Sequence, residues 1–264
     1  MSPLTKRRRP AIKTTKTGKT ARGGRNKKRQ QRWVIAAAVF MILAILALPE
    51  VISAIRGRTP VLGTGPSAAG DFTIPEYTGS IYAEINGNVP FFLESDLTTE
   101  TYEEYSPLDS LGRCGPAMAC LGRETMPDEE RGPIDMIRPS GWHTVRYDDL
   151  IEEKYLYNRC HLIAYMLTGE NGNERNLITG TRYMNTAGML PFELETANYI
   201  LNTRNHVLYR VTPCFRGKDL VAYGVLMEAF SVEDNGQGLS FNVFVFNVQP
   251  GIEIDYRTGN SRRG

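Results

Sequence analysis

Tyr155-Leu-Tyr-Asn-Arg-Cys-His-Leu-Ile163 sets an apolar, aromatic run directly before an arginine and a histidine two positions apart. Aromatic and aliphatic residues of this kind suit a pleated, half-buried surface, so the stretch reads as a β-strand. Alternation along a strand places Arg159 and His161 on one face and Cys160 on the other. An imidazole with an ordinary pKa of about 6.5 can accept a proton near neutral pH, and a positioned base accelerates a reaction by about 10² to 10⁴. His161 is the candidate base. The guanidinium fork of Arg159 beside it suits a phosphate.

Beyond the histidine, Gly169 to Asn176 is a polar loop and Leu177 to Gly180 turns back to the interior. Tyr183 to about Asn202 reads as mainly helical, with Met184, Met189, Leu190, Leu194, Ala197, Tyr199 and Leu201 as apolar members. Pro191 must occupy a first turn or a break there. Asn185 and Glu193 stand eight residues apart in this region. A hard cation such as Mg²⁺ keeps most of its waters and takes only one or two protein oxygens. Asn185 is the candidate ligand through its amide oxygen, and Glu193 can bind a metal water from further out. Asn176 is a weaker candidate, better read as a loop residue bonded to backbone. A base, a cation and a phosphate grip are what phosphodiester hydrolysis demands.

The C-terminal third changes period. His206 to Thr212, Leu220 to Phe230 and Leu239 to Val248 are β-branched and aromatic runs separated by turn residues, which predicts three strands of an antiparallel sheet. Upstream, Trp142 to Tyr147 reads as a short strand, and residues 94 to 140 as mostly irregular because glycine and proline break any long periodicity. Ile81 to Ile85 and Val89 to Phe92 flank Asn86-Gly87, the signature of a hairpin.

Charge divides the chain of 264 residues. Residues 1–32 carry 13 Lys or Arg and no acid, whereas residues 59–264 carry 16 basic against 28 acidic residues, a net of about −12. Between them, Trp33 to Leu48 has no polar side chain over sixteen residues, extended past Pro49 and Glu50 by Val51, Ile52, Ala54 and Ile55. A spanning helix needs roughly 17 to 25 apolar residues. The expected organisation is a basic cytoplasmic tail at 1–32, a single transmembrane anchor at 33–55, a Gly/Pro/Ser-rich linker at 56–76 and a folded domain at 77–264. The positive charges before the anchor put that domain outside the cell. Four cysteines lie on that side; Cys114 with Cys120 is a plausible short disulfide loop, and their spacings match no zinc signature. There is no Gly-rich phosphate loop and no dinucleotide fingerprint.

Asn158-Arg-Cys-His161, with Asn185 followed eight residues later by Glu193, resembles the Asp-Arg-Gly-His and Asn…Glu pattern of the bacterial DNA/RNA non-specific endonucleases. The tail Phe241-Asn-Val-Phe-Val-Phe-Asn-Val-Gln-Pro-Gly251, with Asp255-Tyr-Arg-Thr-Gly259, is similar to the end of the membrane-anchored DNA-entry nucleases of that family. The resemblance covers roughly residues 80 to 260. It implies an α+β fold of the ββα-metal (His-Me finger) type and cleavage of DNA, and also RNA, that depends on Mg²⁺ with Mn²⁺ as the alternative ion. By the same implication His161 is the base, Arg159 contacts phosphate, Asn185 ligates the metal and Glu193 supports the hydrated ion. Asn158 stands where the family has Asp, and Cys160 where it has Gly.

Two rival readings remain at this level. One is a catalytically inactive, surface-exposed nucleic-acid-binding domain on the same fold; the other is a thiol-dependent hydrolase using Cys160, which would need a histidine from elsewhere because Cys160 and His161 face apart. An acidic domain should also repel a polyanion. Arg159, Arg175, Arg182 and Arg204 are the residues expected to make one groove positive and hold the substrate.

Overall fold

The computed structural model describes residues 73–264. The expected tail, anchor and most of the linker lie outside the described residues. Among the described residues no helix is long and apolar enough to cross a membrane.

The core is built on a six-stranded antiparallel sheet, β1 (Tyr82–Glu84), β2 (Tyr102–Tyr105), β3 (Ala117–Leu121), β6 (Val207–Cys214), β7 (Gly224–Ser231) and β8 (Ser240–Phe246), ordered β1-β8-β7-β6-β3-β2. The three C-terminal strands expected from the sequence are its centre, paired Arg210 with Glu228 and Met227 with Val243. Every residue of β7 is buried, because the sheet is covered on both sides. Two further strands, β4 (Tyr157–His161) and β5 (Leu177–Thr181), form a separate antiparallel pair. The short α1 (Tyr165–Thr168) lies in their connection. After β5 comes a π-helical turn, Met184–Met189, which runs into α2 (Leu190–Thr203) with Pro191 at its second position, at the junction of the two. A last pair, β9 (Ile252–Ile254) and β10 (Ser261–Arg263), closes the chain.

One apolar cluster joins Cys160, Leu162 and Ile178 of the small pair, Met184, Met189 and Ile200 of the helical segment, and Tyr209, Met227 and Val245 of the large sheet. Gly188 is needed at this join: a Cβ there would lie 2.4 Å from Val245 Cγ1. The β4–β5–α2 unit is thus pressed against the sheet. Asn247, fully buried just after β8, accepts from Thr181 N at 2.8 Å and donates to Thr179 O at 3.0 Å and Ala222 O at 2.9 Å. Thr181 Oγ1 donates to Val248 O at 2.7 Å and Tyr183 N to Gln249 Oε1 at 3.1 Å. The tail that carried part of the family resemblance therefore clamps β5 and the start of the helical segment.

Several local expectations are corrected. Residues 86 to 92 form no hairpin. Asn86–Asn88 is a 3-10 turn, β1 pairs with β8, and the following segment is held by side chains instead of a ladder: Asn242 Nδ2 donates to Val89 O at 2.7 Å and Phe91 N donates to Glu228 Oε1 at 2.8 Å. Residues 94 to 140 contain β2 and β3, the latter inside the main sheet. Trp142 to Tyr147 makes only the isolated bridge Arg146 to Tyr155. All four cysteines are free. Cys114 Sγ points to Glu174 O and Leu177 O, and Cys120 Sγ to Thr98 O, so the expected short disulfide does not form.

Candidate active site

His161 ends β4 and is 7% exposed. Its Nε2 lies 2.8 Å from the backbone carbonyl of Asn171 in the β4–β5 connection, and its Nδ1 lies 3.2 Å from Arg131 Nη2. A carbonyl oxygen only accepts and a guanidinium only donates. Those two partners assign the proton to Nε2 and a lone pair to Nδ1. Burial, reinforced by the Arg131 charge and opposed by the Asn171 carbonyl, pushes the imidazole down to about 4, which keeps it neutral and able to accept a proton.

His161 lines a cavity of about 450 Å³ together with Arg131, Asn158, Arg159, Arg182, Asn185 and Glu193. Asn185 comes from the π-helical turn and Glu193 from the first turn of α2, so the strand and the helix that follows it converge on one space. Single π turns widen a helix and are frequent at functional sites. Glu193 is buried, and burial raises its carboxyl to about 8 against the opposing pull of Arg131. Neither Glu193 nor the Asn185 side chain has a hydrogen-bond donor or acceptor among the described residues.

That pair fits a hydrated hard cation: an amide oxygen and a carboxyl group that a bound cation would hold ionised, neither with a hydrogen-bond partner among the described residues, in a polar cavity with room for water. Among the described residues no three His, Cys, Asp or Glu side chains are grouped so as to hold a metal ion. The donor set suits magnesium, which needs few protein ligands, better than a closed zinc site.

The arginines divide. Arg159 lines the cavity, but its Nη2 donates to Asp135 O at 2.6 Å, its Nε to Ile137 O, and its guanidinium stacks 4.1 Å from the Trp142 ring centroid. Both Nη1 protons and the second Nη2 proton are left for a phosphate. Arg182 lines the cavity while paired with Glu153. Arg175 is exposed in the turn before β5, and Arg204 caps the far end of α2; neither lines the cavity. The charge they were expected to bring comes instead from Arg131. It lies thirty positions before His161 in a stretch read as irregular, and no local pattern marks it. Asn176, fully buried, accepts from Ile163 N at 2.9 Å and donates to Ile163 O at 3.0 Å, which makes it a loop clasp.

Cys160 is fully buried in the core cluster on the face of β4 away from the cavity, and burial pushes its thiol up. It cannot act as a nucleophile there. His143, bonded to Thr258 O, and His206, paired with Glu233 and Glu124, do not line the cavity.

An antiparallel sheet with few helices, backed by a strand–strand–helix unit that brings His161, Asn185 and Glu193 to one cavity, is consistent with the ββα-metal nuclease fold. The model of the family described as DNA/RNA non-specific endonuclease matches residues 95–233, a little over half of the chain, and the chain belongs to that family.

Solved relatives agree. NucA from Streptococcus agalactiae superposes with a TM-score of 0.60 at 28% identity in its metal-free form, over 69% of this chain and 86% of that one. Its magnesium-bound form gives 0.61 at 27%, with the same coverage. The Sda1 nuclease with bound zinc gives 0.52 at 27%, over 62% and 81%. A deoxyribonuclease of Streptococcus dysgalactiae subsp. equisimilis is 32% identical over 110 residues, 40% of this chain. That alignment spans about a third, 32%, of the relative's length.

Proposed function

We propose that the chain is a divalent-cation-dependent endonuclease that hydrolyses phosphodiester bonds of DNA, and of RNA, with little sequence preference. The observation that carries this reading is the pair of His161 contacts: the Asn171 carbonyl accepts the hydrogen bond from Nε2–H, which leaves the Nδ1 lone pair to the Arg131 guanidinium, on a residue that lines the cavity with Asn185 and Glu193.

In this reading Nδ1 takes a proton from the attacking water as its oxygen bonds to phosphorus, the bond from phosphorus to one ester oxygen breaks, and that leaving oxygen takes its proton from solvent. The resulting imidazolium stays bonded to the Asn171 carbonyl, which holds the ring plane fixed. Arg131, now donating to Nδ1, yields that nitrogen and turns its guanidinium to a phosphate oxygen; Arg159 adds Nη1 from a side chain anchored on the Asp135 and Ile137 carbonyls. Arg182 faces the same space. Asn185 would hold the cation through its amide oxygen with Glu193 on the water shell, and the bound ion supplies positive charge to the phosphoryl oxygens. Magnesium is the ion of choice because the donors are oxygens and because it is held by the NucA relative; Mn²⁺ is the substitute.

Residues 33–55 would anchor the enzyme in the cell membrane as a single pass, with residues 1–32 cytoplasmic and the catalytic domain outside. The support is the sixteen-residue apolar run from Trp33 to Leu48 behind a segment whose charged side chains are all basic. Protease added to intact cells should then remove the domain and spare the tail.

Activity is tested by incubating the purified chain with plasmid DNA in Mg²⁺ or EDTA, beside His161→Ala and Cys160→Ala. Degradation lost with EDTA and with His161→Ala, but kept by Cys160→Ala, supports the reading. No cleavage under any condition favours an inactive nucleic-acid-binding domain, and loss only with the cysteine change restores the thiol enzyme.

A further inference from the structure

A second cavity, about 370 Å³, opens beside the first and shares Asn158 and Arg159 with it. Its other walls include Trp142, Thr144, Glu153 and Tyr155. We propose that this cavity is a nucleobase subsite, which takes the base of a substrate nucleotide next to the phosphate held at His161. The proposal rests on the nuclease reading above and adds to it where the substrate's bases go.

Three observations meet here. The first is chemical. The Trp142 ring lines the cavity, and its indole N–H has no acceptor among the described residues and is sealed from solvent, so a small turn of the ring edge toward a bound base would complete it. An indole offers a donor only, and on the same wall Glu153, whose Oε1 is engaged by Arg182, keeps Oε2 as an acceptor. A nucleobase edge carries both complements, a ring or carbonyl acceptor beside an N–H donor, whereas a phosphate or a bare sugar phosphate brings no flat ring.

The second is the aromatic surface. Tyr155 is 46% exposed, unusual for a large ring in this domain, and lies on the cavity wall with the Arg146 guanidinium 5.3 Å from its centroid. Arg159 is stacked 4.1 Å from the Trp142 centroid. Rings and guanidinium planes are the platforms on which unpaired bases stack. The volume lies in the range of about 300 to 1,000 Å³ that encloses small ligands.

The third is position. Arg159 forms part of both cavities and sits two residues from His161 on β4, so a base lodged beside Trp142 brings its own backbone to the catalytic cavity. A pocket of this kind favours strands that can unstack a base, and because an aromatic platform accepts any base it keeps the sequence preference small.

Trp33 and Trp142 are the 2 tryptophans of the chain, so Trp33→Phe leaves Trp142 as the sole indole reporter. The full-length variant in detergent and EDTA, where turnover is blocked, is titrated with deoxyguanosine 5′-monophosphate while indole emission is followed. Inorganic phosphate and deoxyribose 5-phosphate are the base-free controls. The expected result is a saturable change with the nucleotide and none with the controls, its midpoint moved about ten-fold by Tyr155→Ala. The subsite is overturned by no change, by an equal change with the base-free probes, or by a midpoint that Tyr155→Ala leaves in place. Because the titration needs no catalysis, it stands if plasmid cleavage fails, and its own failure leaves the nuclease reading intact.

Discussion

His161 Nε2 lies 2.8 Å from the backbone carbonyl oxygen of Asn171, so the protein, not the solvent, decides which imidazole nitrogen carries the proton. The opposite nitrogen receives the Arg131 guanidinium at 3.2 Å. Base, orienting carbonyl and cation partner come from β4, the β4–β5 connection and the segment after β3.

Removing the base should cost most of the rate. His161→Ala is expected to lower cleavage by about 10² to 10⁴ while the fold survives. Arg131→Gln leaves the burial that chiefly depresses the His161 pKa but removes the adjacent positive charge, which acts in the same direction. The imidazole pKa, followed by NMR, should therefore rise in that variant. An unchanged or lower value would show that Arg131 is not the neighbour that sets it.

Gly180 carries a packing constraint behind the site. A Cβ there would lie 2.3 Å from Cys160 Sγ and 2.5 Å from Met184 Cε. Gly180→Ala should destabilise by about 1 to 3 kcal/mol through overpacking. Adding Cys160→Gly to Gly180→Ala should recover part of that loss, because the sulfur is the closest obstacle. Urea midpoints of the two singles and the double give the coupling, and strictly additive values would show that the two positions do not collide.

Asn247 is expected to be among the least replaceable polar residues. Its side chain satisfies Thr181 N, Thr179 O and Ala222 O inside the protein. Asn247→Ala strands three buried groups, each worth about 1 to 3 kcal/mol, so a melting-temperature loss on the order of 10 °C is expected. Asn247→Asp should do no better, since a carboxylate cannot donate to the two carbonyls. A variant that melts within a degree or two of the parent would mean that water replaces the clamp at no cost.

The parts of the fold legible in the sequence are those where one local period decides the structure. β6, β7 and β8 announced themselves as long β-branched and aromatic runs, and Pro191 marked the first turn of α2. The convergence of His161, Asn185 and Glu193 was readable from spacing and family pattern. Long-range effects were not. The Asn86-Gly87 turn signal is present, but Glu228 and Asn242, far along the chain, capture the segment after it. β3 is concealed by flanking glycines and prolines, and its partner β6 lies some ninety residues on. Arg131 belongs to the same class: only folding brings it to His161.

His206 gives stability a measurable pH dependence. Partial burial, the largest single influence, lowers its pKa, but hydrogen bonds and charge from Glu233 and Glu124 outweigh it and the net shift is upward. The ring nitrogens sit 2.6 Å from Glu233 Oε1 and 3.2 Å from Glu124 Oε1. A group whose folded pKa exceeds its unfolded value binds its proton more tightly when folded. The stabilisation is therefore complete below the unfolded value of about 6.5 and is lost as pH rises through the higher folded pKa. The urea midpoint should fall between pH 6 and pH 8.5, and His206→Gln should remove part of that slope. The buried Glu193, also raised, contributes a slope of the same sign to both proteins, so the difference between them isolates the histidine. Identical slopes in the parent and in His206→Gln would show that the two glutamates do not hold a proton on the ring.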